Sequence, residues 1–320
     1  MKIESLKLKN FRNYELLSLE FDKATNIFYG DNAQGKTNIL EAVYLSGTTK
    51  SHRGSKDKDL IRFEQNESHI ETVVEKNGIN YQIDMHLKKN SPKGIAINKM
   101  PIRKASELFG IVNIVFFSPE DLNIIKNGPG ERRRFVDLEL SQLDKVYLSN
   151  LANYNRIVNQ RNHLLKEAAY NSDVLKTLDI WDMQLVHYGN LIIQRRQEFV
   201  EQMNEIISGI HNKLTGGKES IRILYEPSNS YLTLEQALNK NKEKDLRIRS
   251  TSVGPHRDDI AFMIGDIDIR KYGSQGQQRT AALSLKLSEI ELVKQSIHDT
   301  PVLLLDDVLS ELDKHRQNYL

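Results

Sequence analysis

The sequence predicts an α/β fold with a mixed sheet and an inserted all-helical lobe, and three observations carry that prediction. A short apolar run, Thr25 to Tyr29, ends at Gly30, and helical spacing begins at Lys36. Between about His69 and Leu87 apolar and polar residues alternate, the period of a half-buried strand. From Glu131 to about Leu214 there is no proline, and apolar residues recur at helical spacing.

Taken in order, Leu17, Leu19 and Phe21 alternate with polar neighbours and predict a strand near the start. Thr25 to Tyr29 is expected to be a second short strand. It leads through a glycine loop into a helix marked by Ile39, Leu40 and Val43, with Gly47 expected just past its end. Ile79, Tyr81, Ile83, Met85 and Leu87 share one face of a strand, and Asn77-Gly78 before them is a hairpin signal. Ile111 to Phe117 is continuously apolar, as a strand buried on both faces requires. Ser118-Pro119-Glu120-Asp121 supplies a cap, a proline at the first helical position and acids for a helix start.

Asn127-Gly128-Pro129-Gly130 punctuates the chain before the lobe. Phe135, Leu138, Val146, Leu151, Tyr154 and Ile157 predict one long helix. Leu178, Trp181, Leu185, Ile192, Phe199, Met203 and Ile206 predict its return, with the bend at Asn171-Ser172. Thr215-Gly216-Gly217 ends the lobe. Ile221 to Tyr225 and Ile260 to Ile269 read as strands, the second a hairpin about Gly265-Asp266. Ala281 to Ser296 reads as a helix and Pro301 to Leu305 as a buried strand. The expected division is a discontinuous α/β domain, 1–130 with 215–320, and a helical lobe, 131–214.

Composition bounds the chemistry. The 320 residues carry a net charge of only +2, so a polyanionic partner would need a local basic face. The chain has no cysteine, which excludes disulfides, thiolate metal sites and cysteine nucleophiles. No secretory signal opens it, and no stretch approaches the roughly 20 apolar residues of a membrane helix. A cytoplasmic protein is expected.

Gly30-Asp31-Asn32-Ala33-Gln34-Gly35-Lys36-Thr37 fits the phosphate-loop pattern G-x-x-x-x-G-K-[ST], placed before a helix as the chemistry requires. Loop amides and the positive end of that helix attract phosphate. Lys36 would reach the β- and γ-phosphates of ATP, and the Thr37 hydroxyl would ligate Mg²⁺. Val302-Leu303-Leu304-Leu305-Asp306-Asp307 is an apolar strand ending in two acids. Asp306 suits the metal shell, and Asp307 the orientation or deprotonation of an attacking water. Gly273-Ser274-Gln275-Gly276-Gln277-Gln278-Arg279 opens the last helix and offers a hydroxyl and free amides to a γ-phosphate.

The order of these motifs resembles the ABC-type ATPase heads, and within them the RecF family. The residues that carry the resemblance are Leu8 to Tyr14, Gly30 to Asn38, Ser118 to Leu122, Gly128 to Arg134 and Ser252 to Asp259, and it runs from residue 1 to 320. It implies an ABC-type head with a mixed sheet and the lobe inserted. Two heads would pair head-to-tail, each phosphate loop (Gly30 to Asn38) closing over ATP against Ser274, Gly276 and Gln277 of a second copy. It implies that Ser310-Glu311-Leu312-Asp313 is the D-loop, and that a strand bearing a switch residue follows beyond Leu320. Asp307 stands where many transporter-type heads carry glutamate, so slow turnover is expected. The resemblance also implies DNA binding at single-strand gaps, RecO- and RecR-type partners, and help in loading a strand-exchange recombinase.

Lys126, Arg132, Arg133, Arg134, Arg156, Arg161 and Lys166 are the cations that could face DNA, although Glu131, Asp137, Glu139 and Asp144 lie among them. Arg12 and Arg53 are candidates for the nucleotide's surroundings. His256 is expected to be ordered by hydrogen bonds in its loop rather than catalytic, and Trp181 to be core. A transporter ATPase subunit, a chromosome-organising head and a P-loop kinase remain alternatives. Membrane association would mark the first, a coiled coil of hundreds of residues the second, and absence of ATP-dependent dimerisation the third.

Overall fold

The computed structural model describes residues 1–31, 34–229 and 232–307. They form two compact units, residues 1–119 with 293–320 and residues 120–292. No described helix is long and apolar enough to cross a membrane.

In the first unit the strands β1 (Lys2–Phe11), β2 (Tyr14–Glu20), β3 (Glu67–Lys76), β4 (Ile79–Lys88), β5 (Ser91–Ile97) and β6 (Met100–Pro101) form one antiparallel sheet in the order β2-β1-β3-β4-β5-β6. The alternation seen in sequence sets its buried face: Ile70, Val74, Ile83, Met85 and Leu87 are fully buried. The hairpin turns at Asn77-Gly78, as expected, with Asn77 at φ 52° and Gly78 at φ 78°.

Against this sheet packs helix α1 (Lys36–Thr48), where Ser46 Oγ meets Thr72 Oγ1 of β3 at 2.7 Å. The expected strand at Thr25–Tyr29 is not formed, and Ile27 and Tyr29 are exposed. Gly47 is not the terminating residue either. It lies within α1, where a Cβ would stand 2.5 Å from Ile114 Cδ1. The helix instead ends at Thr49, in the left-handed region at φ 63°. Gly47 therefore lets the helix approach β7 (Ile114–Phe117), which pairs in parallel with β11 (Val302–Leu305).

In the second unit the predicted long helix is broken. α2 (Leu122–Lys126) follows a 3-10 turn at Pro119–Asp121, then come α3 (Pro129–Leu143) and α4 (Lys145–Glu167). Asp144 interrupts the run at φ −137°, and its carboxylate accepts from the Val146 and Tyr147 amides. A capped helix start in the middle of an apolar pattern overrides the periodicity. The return helix α5 (Leu178–Thr215) is 38 residues, about 57 Å, and Gly216 closes it at φ 63°.

Leu185, Ile192, Phe199, Tyr147, Tyr154 and Ile157 zip α4 and α5 into one core. That core continues onto β8 (Ile221–Glu226), β9 (Asp259–Ile264), the helix α6 (Leu234–Ile248), the short α7 (Ile269–Tyr272) and α8 (Gln275–Ile297), while β10 (Ile267–Asp268) pairs with β9. Trp181 packs partly buried against it, as expected.

Candidate nucleotide site

The phosphate loop is assembled in the first unit. Gly35 caps α1 at φ 97°, a conformation that glycine adopts without strain. A Cβ on Gly35 would also stand 2.6 Å from Asn13 Nδ2 and 2.8 Å from the Tyr14 hydroxyl. Those two side chains come from the hairpin between β1 and β2, and both donate to Gln34 O, at 3.2 and 3.4 Å. Asn13 Oδ1 in turn accepts from Asn38 Nδ2 at 2.8 Å. The hairpin thus clamps the helix-side end of the loop, a role that sequence reading did not assign to Asn13 or Tyr14.

Lys36 turns its ammonium back over the loop, donating to Gly30 O at 2.6 Å and Asp31 O at 2.7 Å. Thr37 Oγ1 donates to Asp306 Oδ1 at 3.0 Å, joining residues 269 positions apart. Asp306 is carried there by β11, whose ladder with β7 is extended by the bond from Asp306 N to Phe117 O at 2.9 Å. Asp307 follows at φ 52°, exposed. A hydroxyl and a carboxylate meeting beside a phosphate-type loop are the hard oxygen donors that Mg²⁺ takes, so these residues fit that metal and a nucleotide triphosphate. Asn32 and Ala33 of the loop, and Ser310 to Asp313, lie outside the described residues.

Arg12 and Arg53 flank this region with different partners. Arg12 forms a two-pronged pair with the buried Glu41 of α1, both contacts 2.8 Å, and also donates to Ser55 Oγ. Burial alone would raise the Glu41 pKa; the bonds from Arg12 and from Ser51, at 2.5 Å, outweigh it and hold the carboxyl below its usual range. Arg53 reaches Asn38 Oδ1 at 3.4 Å.

The signature lies in the second unit. Ser274 and Gln277 form a reciprocal capping box at the start of α8: Gln277 N donates to Ser274 Oγ at 3.2 Å, and Ser274 N to Gln277 Oε1 at 2.9 Å. Because Ser274 Oγ already accepts, its own proton is left to donate outward. Ser274 and Gly276 are exposed on the first turn of a 23-residue helix, a favourable place for an anion.

The expected basic face is thinner than the sequence suggests. Arg132 is buried and paired with Asp259 at 2.7 and 2.9 Å. Arg161, fully buried, is paired with Asp182 at 2.5 Å and Asp245 at 2.7 Å. Both serve the core. Arg133 is half-buried and donates to Asp258 O at 2.7 Å. Lys126, Arg134, Arg156 and Lys166 are exposed. His256 is held as a loop residue, accepting from the Tyr154 hydroxyl at 2.8 Å and facing Thr251 O at 3.1 Å. Burial lowers its pKa to about 4, so it is neutral at pH 7.

A phosphate loop on a strand-packed helix, an aspartate strand bonded to it, and a serine-capped late helix define the ABC-type α/β ATPase head. The family model of the RecF/RecN/SMC N-terminal domain matches residues 2–320. The chain belongs to the RecF family. It is 66% identical over 320 residues to the DNA replication and repair protein RecF of Agathobacter rectalis, covering 100% of this chain and 88% of that one. With RecF of Lachnospira eligens it shares 64% over 322 residues, covering 100% and 89%. A solved structure of the recombination mediator RecF with ATP, in the RecFOR pathway, superposes with a TM-score of 0.95 at 38% identity, covering 99% of this chain and 87% of that one. An SMC head bound to a winged-helix domain of ScpA matches at TM-score 0.51 and 15% identity, a likeness of fold.

Proposed function

We propose that the chain is an ATP-driven DNA-repair switch of the RecF kind, in which nucleotide joins two copies head-to-tail. The observation that carries it is the Thr37–Asp306 bond at 3.0 Å, which brings a metal-type donor pair to the end of a phosphate loop. The solved RecF–ATP relative supports ATP as the ligand.

In this reading the head comprises 1–130 and 215–320 and the lobe 131–214. Amides of Gly30 to Asn38 cradle the phosphates, and Lys36 leaves the Gly30 and Asp31 carbonyls to meet the β- and γ-phosphates. Thr37 and Asp306 would hold Mg²⁺, which would neutralise phosphate charge. Asp307 orients or deprotonates the attacking water. Ser274, Gly276 and Gln277 of one copy face the γ-phosphate on the other, so hydrolysis releases the pair. The relatives' name as DNA replication and repair proteins supports DNA as the partner, at single-strand gaps in the cytoplasm, with RecO- and RecR-type proteins in recombinase loading. Lys126, Arg156 and Lys166, all exposed, would face its phosphates.

Sedimentation with ATP and Mg²⁺, with and without duplex DNA, tests this. A monomer-to-dimer shift that needs ATP, grows with DNA and disappears in Lys36→Met and Ser274→Arg is expected. A chain that binds ATP and stays monomeric refutes the head-to-tail reading. Asp307→Glu, one methylene closer to the water, is expected to hydrolyse ATP faster; an inactive variant would point to another base.

A further inference from the structure

The signature's geometry depends on which way round the Gln277 amide sits. Its Oε1 accepts from Ser274 N at 2.9 Å, so its Nε2 must point the other way. There it donates to Glu219 Oε1 at 2.9 Å. Glu219 ends the turn after α5, half-buried, and the chain beside it is pinned by Gly265 N donating to Ser220 O at 3.4 Å. Were the amide to flip, an NH₂ would face the Ser274 N–H, donor against donor, and the capping box would open.

The far side of Glu219 is also determined. Ser284 Oγ of α8 lies 2.8 Å from Thr280 O and 2.9 Å from His211 Nδ1. The other ring nitrogen of His211, Nε2, faces Glu219. That atom is buried without a hydrogen-bond partner among the described residues, and lies 3.6 Å from Glu219 Oε2. Burial lowers the His211 pKa, which keeps the ring neutral near pH 7.

We infer that Glu219 is the positioning residue of the signature: by accepting from Gln277 Nε2 it locks the amide that holds Ser274, and it links that turn to the end of α5 through His211. The inference rests on the reading of Ser274 to Gln277 as the phosphate-facing turn. What the turn needs from position 219 is an acceptor, not a charge. Glu219→Gln would keep a carbonyl oxygen for Gln277. Glu219→Ala removes the lock.

Hydrogen exchange of residues 275–279 in the nucleotide-free chain tests the lock directly. Glu219→Ala should speed it about fivefold, the loss of one ordinary hydrogen bond. Glu219→Gln should leave it unchanged. ATP-dependent dimerisation should follow the same order, while monomer affinity for ATP stays constant in all three chains. Unchanged exchange in Glu219→Ala overturns the inference, as does faster exchange with undiminished dimerisation. Glu219→Gln behaving like Glu219→Ala overturns it too, since the charge would then be what matters. If even the unsubstituted chain stays monomeric with ATP bound, the head-to-tail reading fails, and the exchange rates still decide whether Glu219 locks the turn.

Discussion

Around the phosphate loop, side chains are held by hydrogen bonds to backbone carbonyls or to one another, as with Lys36 on Gly30 and Asp31 or Asn13 on Gln34. The signature-bearing unit is built differently. There three guanidiniums are buried on carboxylates: Arg132 on Asp259, Arg161 on Asp182 and Asp245, Arg196 on Asp137. All three guanidiniums anchor residues 245–259: Arg132 through Asp259, Arg161 through Asp245 and Thr251 Oγ1, and Arg196 through Pro255 O. Lys286 and Glu289 of α8 add a buried pair at 2.5 Å. A loop that must exchange backbone carbonyls for phosphate cannot be tied down by buried charge. A scaffold that only presents a serine can be, because leaving any one of its charges unpaired is costly.

That contrast can be broken most severely at Arg161. Arg161→Met leaves Asp245, which is fully buried, without its guanidinium, and should destabilise the chain by about 3–5 kcal/mol in urea unfolding. A loss below about 1 kcal/mol would mean that the pair contributes little beyond a hydrophobic replacement.

Acid should act next, through His256. Its pKa is about 4 in the folded chain against 6.5 for the free group, so the unfolded chain binds the proton first. Stability is unaffected above pH 6.5 and falls as pH drops through the window to about 4, by roughly 3 kcal/mol in all. His256→Gln should flatten that part of the profile; equal slopes in the two chains would show that the imidazole stays solvated.

The smallest effect lies at the break between α3 and α4. Asp144→Ala removes the acceptor for the Val146 and Tyr147 amides and should lower stability by about 1 kcal/mol while leaving ATP affinity untouched. A reduced ATP affinity would tie the lobe to the loop more closely than the separate construction of the two units allows.

Motif chemistry was legible where it depends on neighbours in sequence. Gly35, Lys36 and Thr37 stand together, and Ser274 and Gln277 cap one helix turn, so spacing alone found them. The β3–β4 hairpin was equally plain, since alternation and an Asn-Gly turn are local. Partnerships over long separations were not. Nothing in the run of residues says that Arg161 belongs to Asp245, so it read as a surface cation. Gly47 looked like a helix stop because its real reason, the Ile114 side chain, is 67 positions away. The missing strand at Thr25–Tyr29 shows that an apolar run specifies burial only once a partner strand is present. α6 was missed although Thr233 and Gln236 form a capping box that the sequence displays.

The bond between Thr37 and Asp306 spans 269 residues, nearly the length of the described chain. At the usual 5–20 residues per second of synthesis, about 13 to 54 seconds separate the making of the two groups. Throughout that interval the nascent chain carries a complete phosphate loop with no aspartate to share a metal with Thr37. The two halves of its metal-type donor pair come together only when the strand at residues 302–305 takes its place beside β7.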